Sequence, residues 1–108
     1  MQILIHALCT KGGSLREAIA NDPRLGRHDL EILREKQPGR APGWMKIRSA
    51  GETRGVLNIE WHPQTSVLSA RVITRGSGKA SPIVGDFVNY LLRQHAKRVR
   101  TIITAKAQ

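Results

Sequence analysis

The chain has 108 residues, 40% of them hydrophobic and 24% charged. That composition fits one folded domain and excludes a disordered or collagen-like chain. Eighteen Lys and Arg against eight Asp and Glu give a net charge of +10, and the lone Cys9 excludes an internal disulfide. Only Trp44, Trp61, Phe87 and Tyr90 are aromatic, so aliphatic side chains must build most of the core.

Residues 2 to 9, QILIHALC, are apolar on both alternating sets, which predicts a strand inside a sheet and buried on two faces. The run lacks a basic leader and is too short to span a bilayer, so a cytoplasmic protein without membrane attachment is expected. In SLRE, Ser14 and Glu17 have capping-box spacing, predicting a helix of about two turns that stops before Asp22-Pro23. DLEILREK, 29 to 36, is compatible with a helical turn or a strand, and we take it as a strand. After the turn-forming QPGRAPG, the segment WMKIRSA alternates Met45 and Ile47 with Lys46 and Arg48. In VLNIEWHPQTSVLSARVIT, two alternating runs flank HPQTS and predict a hairpin.

From Pro82 the spacing changes to threes and fours: Ile83, Val84, Phe87, Val88, Leu91 and Leu92 form the stripe of a helix. Ser81 suits its N-cap and Pro82 its first position. Gly85 is expected to allow close approach to the sheet, at a cost of up to about 1 kcal/mol in helix propensity. RVRTIITA, 98 to 105, is rich in β-branched residues and predicts a last strand. The whole reads as a single α+β domain over residues 1–108, in the order β-α-β-β-β-β-α-β. A mostly antiparallel β-sheet carries a long C-terminal helix on one face.

Charge is unevenly placed. Residues 1 to 60 carry 10 basic and 7 acidic side chains, net +3, whereas residues 61 to 108 carry 8 basic residues and Asp86, net +7. Such a field attracts polyanions. RGSGKASP, 75 to 82, has phosphate-loop residue types, but Ile73 stands where a P-loop needs its first glycine and Ala80 where it needs a hydroxyl. A dinucleotide fingerprint fails as well, since Ser81 replaces the third glycine. What remains is an anion site at a helix N-terminus, with Arg75 and Lys79 approaching, Ser81 as cap, and spare N–H groups at Ile83, Val84 and Gly85. Lys46, Arg48 and Arg71 form a second basic set on one sheet face, and Arg93 and Lys97 a third at the helix end, joined there by Arg98 and Arg100. The histidines show no metal spacing, so no metal or other cofactor is expected. His95 continues the apolar stripe, and Cys9 is read as a structural thiol.

Three classes of function follow. The leading one is a non-catalytic domain that binds RNA or DNA through backbone phosphates. The second is an enzyme. GWMKIRSAGETRGVLNIEW and the strand after it resemble the middle strands of the RelE-like messenger-RNA interferase toxins, small basic α+β ribonucleases that work without a metal. The resemblance covers the middle third of the chain, and the C-terminal helix and strand depart from it; it implies Arg48, Arg54 and Arg75 as phosphate-stabilising residues. The third class is a regulatory subunit whose basic surface meets an acidic protein. An exposed terminal strand could also pair copies of the chain as a homo-oligomer.

Overall fold

The computed structural model describes residues 2–76 and 78–106. Its strands are β1 (Gln2–Cys9), β2 (Leu30–Arg34), β3 (Trp44–Ser49), β4 (Gly55–His62), β5 (Val67–Thr74) and β6 (Val99–Lys106). Helix α1 (Leu15–Ala20) follows β1, a 3-10 turn spans Leu25–His28, and α2 (Ser81–Gln94) lies between β5 and β6. The strands form one antiparallel sheet in the order β2-β3-β4-β5-β1-β6, which makes β2 and β6 the edges. The element order and the α+β class agree with the sequence. Helix α2, at 14 residues, is of ordinary length rather than long.

Alternation explains the core. Ile5, Ala7 and Cys9 of β1, Leu57 and Ile59 of β4, and Leu68, Ala70 and Val72 of β5 share one face, where they pack with Ile19 of α1 and Ile83, Phe87, Tyr90 and Leu91 of α2. Among the described residues, no helix lies over the opposite face. β1 therefore lies inside the sheet, between β5 and the edge strand β6, but is buried on one side only: Leu4, His6 and Leu8 are half-buried. The expectation of two buried faces fails because the helices supply apolar cover to one.

The Ser14 hydroxyl accepts from the Glu17 N–H at 3.2 Å, so α1 begins at the predicted cap. The start of α2 differs from expectation. Ser81 is already helical, Ala80 holds the N-cap position without a side-chain bond, and its carbonyl accepts from the N–H groups of Ile83 and Val84. Gly85 is exposed with open space around it, whereas the close approach occurs at Gly55, where an added Cβ would lie 2.6 Å from Ile83 Cδ1 and 2.7 Å from the Ile73 carbonyl oxygen. Glycine is needed on the sheet, not on the helix.

A buried polar cluster joins the helices. Asp22 Oδ2 accepts from the Tyr90 hydroxyl at 2.7 Å and from His95 Nε2 at 3.1 Å, while Arg24 donates to Asp22 through its side chain and its backbone N–H. Burial alone would push the Asp22 carboxyl up, but the hydrogen bonds from Arg24 and Tyr90 and the Arg24 charge outweigh it and hold the group well below the usual carboxylate range. Burial pushes His95 down, against the pull of Asp22. Arg16, also buried, donates to the carbonyls of Glu35 and Trp44 and so ties α1 to the connection between β2 and β3. Among the described residues, no helix is long and apolar enough to cross a membrane.

Two outcomes follow. Gly85→Ala should raise stability by about 0.5–1 kcal/mol and Gly55→Ala should lower it, as read from urea unfolding midpoints. A depressed Asp22 stabilises fully above its unfolded value near pH 4 and loses that contribution as the pH falls through the folded value. A depressed His95 leaves the unfolded chain with more bound protons as the pH falls below about 6.5. The urea midpoint should therefore drop steadily from pH 7 toward pH 3. Asp22→Asn should lower it at pH 7, by about 1.5–3 kcal/mol in stability, and flatten the acid limb.

Candidate anion-binding face

The antiparallel register fixes which side chains meet on the uncovered face. One cross-strand row runs Arg34, Lys46, Asn58, Arg71, Leu4, Ala105 from β2 to β6. It holds three cations and no acid. Lys46 and Arg71 lie two strands apart, about 10 Å. Neither of them, nor Arg34, has a carboxylate within ion-pair distance among the described residues, although Arg71 donates to the Gln2 side chain at 2.7 Å. The neighbouring row runs Glu31, Arg48, Val56, Ile73, Gln2. There Arg48 Nε and Nη2 both donate to Glu31 Oε2, at 3.1 and 2.8 Å, so Arg48 is partly neutralised by its edge-strand neighbour.

At the end of this row the connection between β3 and β4 forms a cleft of about 500 Å3, lined by Arg48, Arg54 and Arg75 together with Leu33 and Val56. Arg75 arrives from the end of β5 and Arg54 from the start of β4, so three separate chain segments bring three guanidinium groups to one opening. The same connection, through Ser49, Ala50 and Gly51, walls a second cleft that contains Asp29, Glu52 and Asp86. Burial, with the nearby Asp29, pushes the Asp86 carboxyl up. The charges are thus sorted by sign across one loop, with the cations toward the open face.

The remaining sequence candidates lie elsewhere. Lys79 and Ser81 are exposed at the start of α2. The Ile83 and Val84 N–H groups expected to be spare are bound to Ala80, and the turn before them is closed by Gly78 N–H to Arg75 O at 3.0 Å and Thr74 hydroxyl to Gly78 O at 2.7 Å. Ser77 of the same motif lies outside the described residues. Arg93 and Lys97 are exposed near the far end of α2, with Arg93 about 18 Å along the axis from Ser81 and on the helix-bearing side.

Cys9 is buried and its thiol, pushed up by burial against the pull of Arg98, contacts the Ala7 carbonyl. His28 packs edge-on against Tyr90 and contacts Gln94, which makes it part of the helix layer. His6 and His62, by contrast, both lie on the open face and both contact the Ser69 hydroxyl, at 3.3 and 3.2 Å. Trp44 pairs in register with Glu60 on that face, yet it is buried, with Arg40 5.3 Å above its ring. None of the four aromatic side chains is exposed there as a stacking platform.

Sequence reasoning singled out Lys46, Arg48, Arg71 and Arg75, which the sheet brings to one face. It did not place Arg34 in their row, nor His6 and His62 around Ser69. Alternation alone would put Arg34 with Leu30 and Ile32, and only the irregularity between Ile32 and Arg34 in the β2–β3 pairing sets it beside Lys46. His6 stands between Leu4 and Leu8 in a run apolar on both sets, so only the register shows its neighbours. Comparison with protein-family models, curated proteins and solved structures finds no match. Because Glu31 occupies Arg48, Glu31→Gln should strengthen binding of a polyanion to this face and steepen its log-log salt dependence by about one unit, as measured by fluorescence anisotropy with single-stranded oligonucleotides.

Proposed function

We propose that the protein binds nucleic acid through backbone phosphates along the open face of its sheet. The observation that carries this reading is the row Arg34, Lys46, Arg71, free of acid and aligned beside the cleft of Arg48, Arg54 and Arg75. Guanidinium forks suit phosphate oxygens, which they engage two at a time. The lack of an exposed aromatic platform argues for contacts to the backbone over stacking on bases, and hence for weak sequence selectivity. Half-buried Leu4, Val56 and Ile73 give the strand of nucleic acid an apolar floor between the charged heads.

The ribonuclease alternative is favoured by one specific observation: Arg48, Arg54 and Arg75, implied by the resemblance to RelE-like toxins, share a cleft. A protein with an acidic surface would answer to the same charges and is distinguished by the same experiment. Labelled single- and double-stranded RNA and DNA, with polyglutamate as control, are titrated from about 50 to about 200 mM salt. Nucleic acid should remain bound at the higher salt after polyglutamate has dissociated. Lys46→Ala and Arg71→Ala should each weaken binding across all sequences and lower the salt slope by about one, as should Arg75→Ala, whereas Arg93→Ala and Lys97→Ala should change little. Equal loss of every probe, polyglutamate included, would reduce the face to a non-specific electrostatic field.

A further inference from the structure

Three features outside the basic row compete for a role. The acidic cleft of Asp29, Glu52 and Asp86 has no second feature pointing to a ligand. The loop Lys11–Ser14 leads into a helix of only six residues. The cluster on β1, β4 and β5 carries chemistry. Ser69 sits on the middle strand, with His6 directly opposite it on β1 and His62 one step along on β4. Its hydroxyl oxygen is 3.3 Å from His6 Nδ1 and 3.2 Å from His62 Nε2, so the two ring nitrogens are within about 6.5 Å of each other.

A hydroxyl has one proton and two lone pairs, so Ser69 can accept an N–H from both rings at once. In that arrangement His6 Nδ1 and His62 Nε2 turn their protons to Ser69, and each ring keeps its other nitrogen, His6 Nε2 and His62 Nδ1, for a ligand on the open surface. The charged neighbours on this face are Glu60, opposite Ser69 on β4, and Arg71, two residues along β5, about 7 Å away. On the β6 side the facing residues are Thr101, Ile103 and Ala105, all uncharged, and on β3 the nearest cation is Lys46.

We infer that His6 and His62, oriented by Ser69, form a general acid–base pair that cleaves RNA laid along this face. The inference rests on the nucleic-acid reading above and adds RNA as the substrate. The neutral imidazole takes the proton of a ribose 2′-hydroxyl as the 2′-oxygen attacks the adjacent phosphorus. The P–O5′ bond breaks, and the protonated imidazole gives its proton to the departing 5′-oxygen. The products are a 2′,3′-cyclic phosphate and a 5′-hydroxyl, and no co-reactant is consumed. Arg71, about 7 Å from Ser69 along β5, stands where it can meet the negative charge on the non-bridging phosphate oxygens. The three-arginine cleft is about 16 Å from Ser69 along and across the strands, so it serves as a binding site for the chain upstream or downstream of the cleaved bond.

The test uses a short fluorescent single-stranded RNA and the all-2′-deoxy oligonucleotide of the same sequence, with chelator present. Wild-type protein should cleave the RNA with time, leave a cyclic phosphate detectable by mass, spare the deoxy strand, and show a bell-shaped pH–rate profile. His6→Gln and His62→Gln should each lower the rate at least about 100-fold and remove opposite limbs of the profile, while thermal midpoint and affinity for the deoxy strand stay unchanged. Ser69→Ala should shift the profile with a smaller loss of rate. Binding of RNA without cleavage overturns the catalytic inference and leaves the binding proposal standing. Cleavage that persists in both histidine variants also overturns it, and absence of both binding and cleavage overturns the two together.

Discussion

A six-stranded sheet has two faces to cover, and helices of six and fourteen residues cover one of them. The rest of the molecule follows from that imbalance. Each strand must send its large aliphatic side chains to the helix side, which is why Ile5, Ile47, Leu57, Ile59, Leu68 and Val72 are fully buried while their sequence neighbours are not. The other face must be tolerable in water although Leu4, Leu8, Val56, Val67 and Ile73 lie on it. Long basic side chains suit such a surface, because their aliphatic stems accept apolar neighbours while their charged ends remain hydrated. Arg34, Lys46 and Arg71 supply such side chains in one cross-strand row of the uncovered face.

The helix layer is located by polar contacts as well as apolar ones. Asp22, placed just after α1, is met by Tyr90 and His95 from the end of α2, so one buried carboxylate connects the two helices. Arg16 reaches in the other direction, to the carbonyls of Glu35 and Trp44. Unpaired, each of these groups would carry a desolvation cost, and the bonds they make favour one arrangement of helices on the sheet, although the buried Arg16 Nε is left without a partner. That arrangement brings Pro82 and Asp86 against the connection between β3 and β4. It thereby supports the wall whose other side presents Arg48, Arg54 and Arg75.

The open face is organised in cross-strand rows with different characters. The row through Lys46 and Arg71 is cationic, the row through Arg48 is partly neutralised by Glu31, and the row through Ser69 carries Glu60 and His6, with His62 beside it. Because opposed positions in adjacent strands lie about 5 Å apart, each row brings together residues from as many as six chain segments. His6 and His62, 56 positions apart in the chain, thus come to share one hydroxyl.

Much of the fold was legible locally. The period-two alternation in WMKIRSA and in the hairpin runs, the capping box at Ser14 and the three-and-four spacing after Pro82 each report a preference set within a few residues. The misreadings arose where distant cover decided the outcome. QILIHALC is apolar on both faces, yet no helix lies over Leu4 and Leu8, and the glycine that admits the helix is Gly55 rather than Gly85. Likewise, the basic residues were visible as types but not as sets. Alternation put Lys46, Arg48 and Arg71 on polar sides, whereas the distance of Arg93 and Lys97 from them, the pairing of Arg48 with Glu31 and the shared arginine cleft depend on strand order and register. The sequence by itself determined the elements, their order and the side of β3, β4 and β5 that faces the core, because backbone periodicity and side-chain polarity act over a few residues. Only the tertiary structure decided which charges stand alone, which are neutralised and which imidazoles meet, because those are contacts between segments whose sequence separation carries no information about their register.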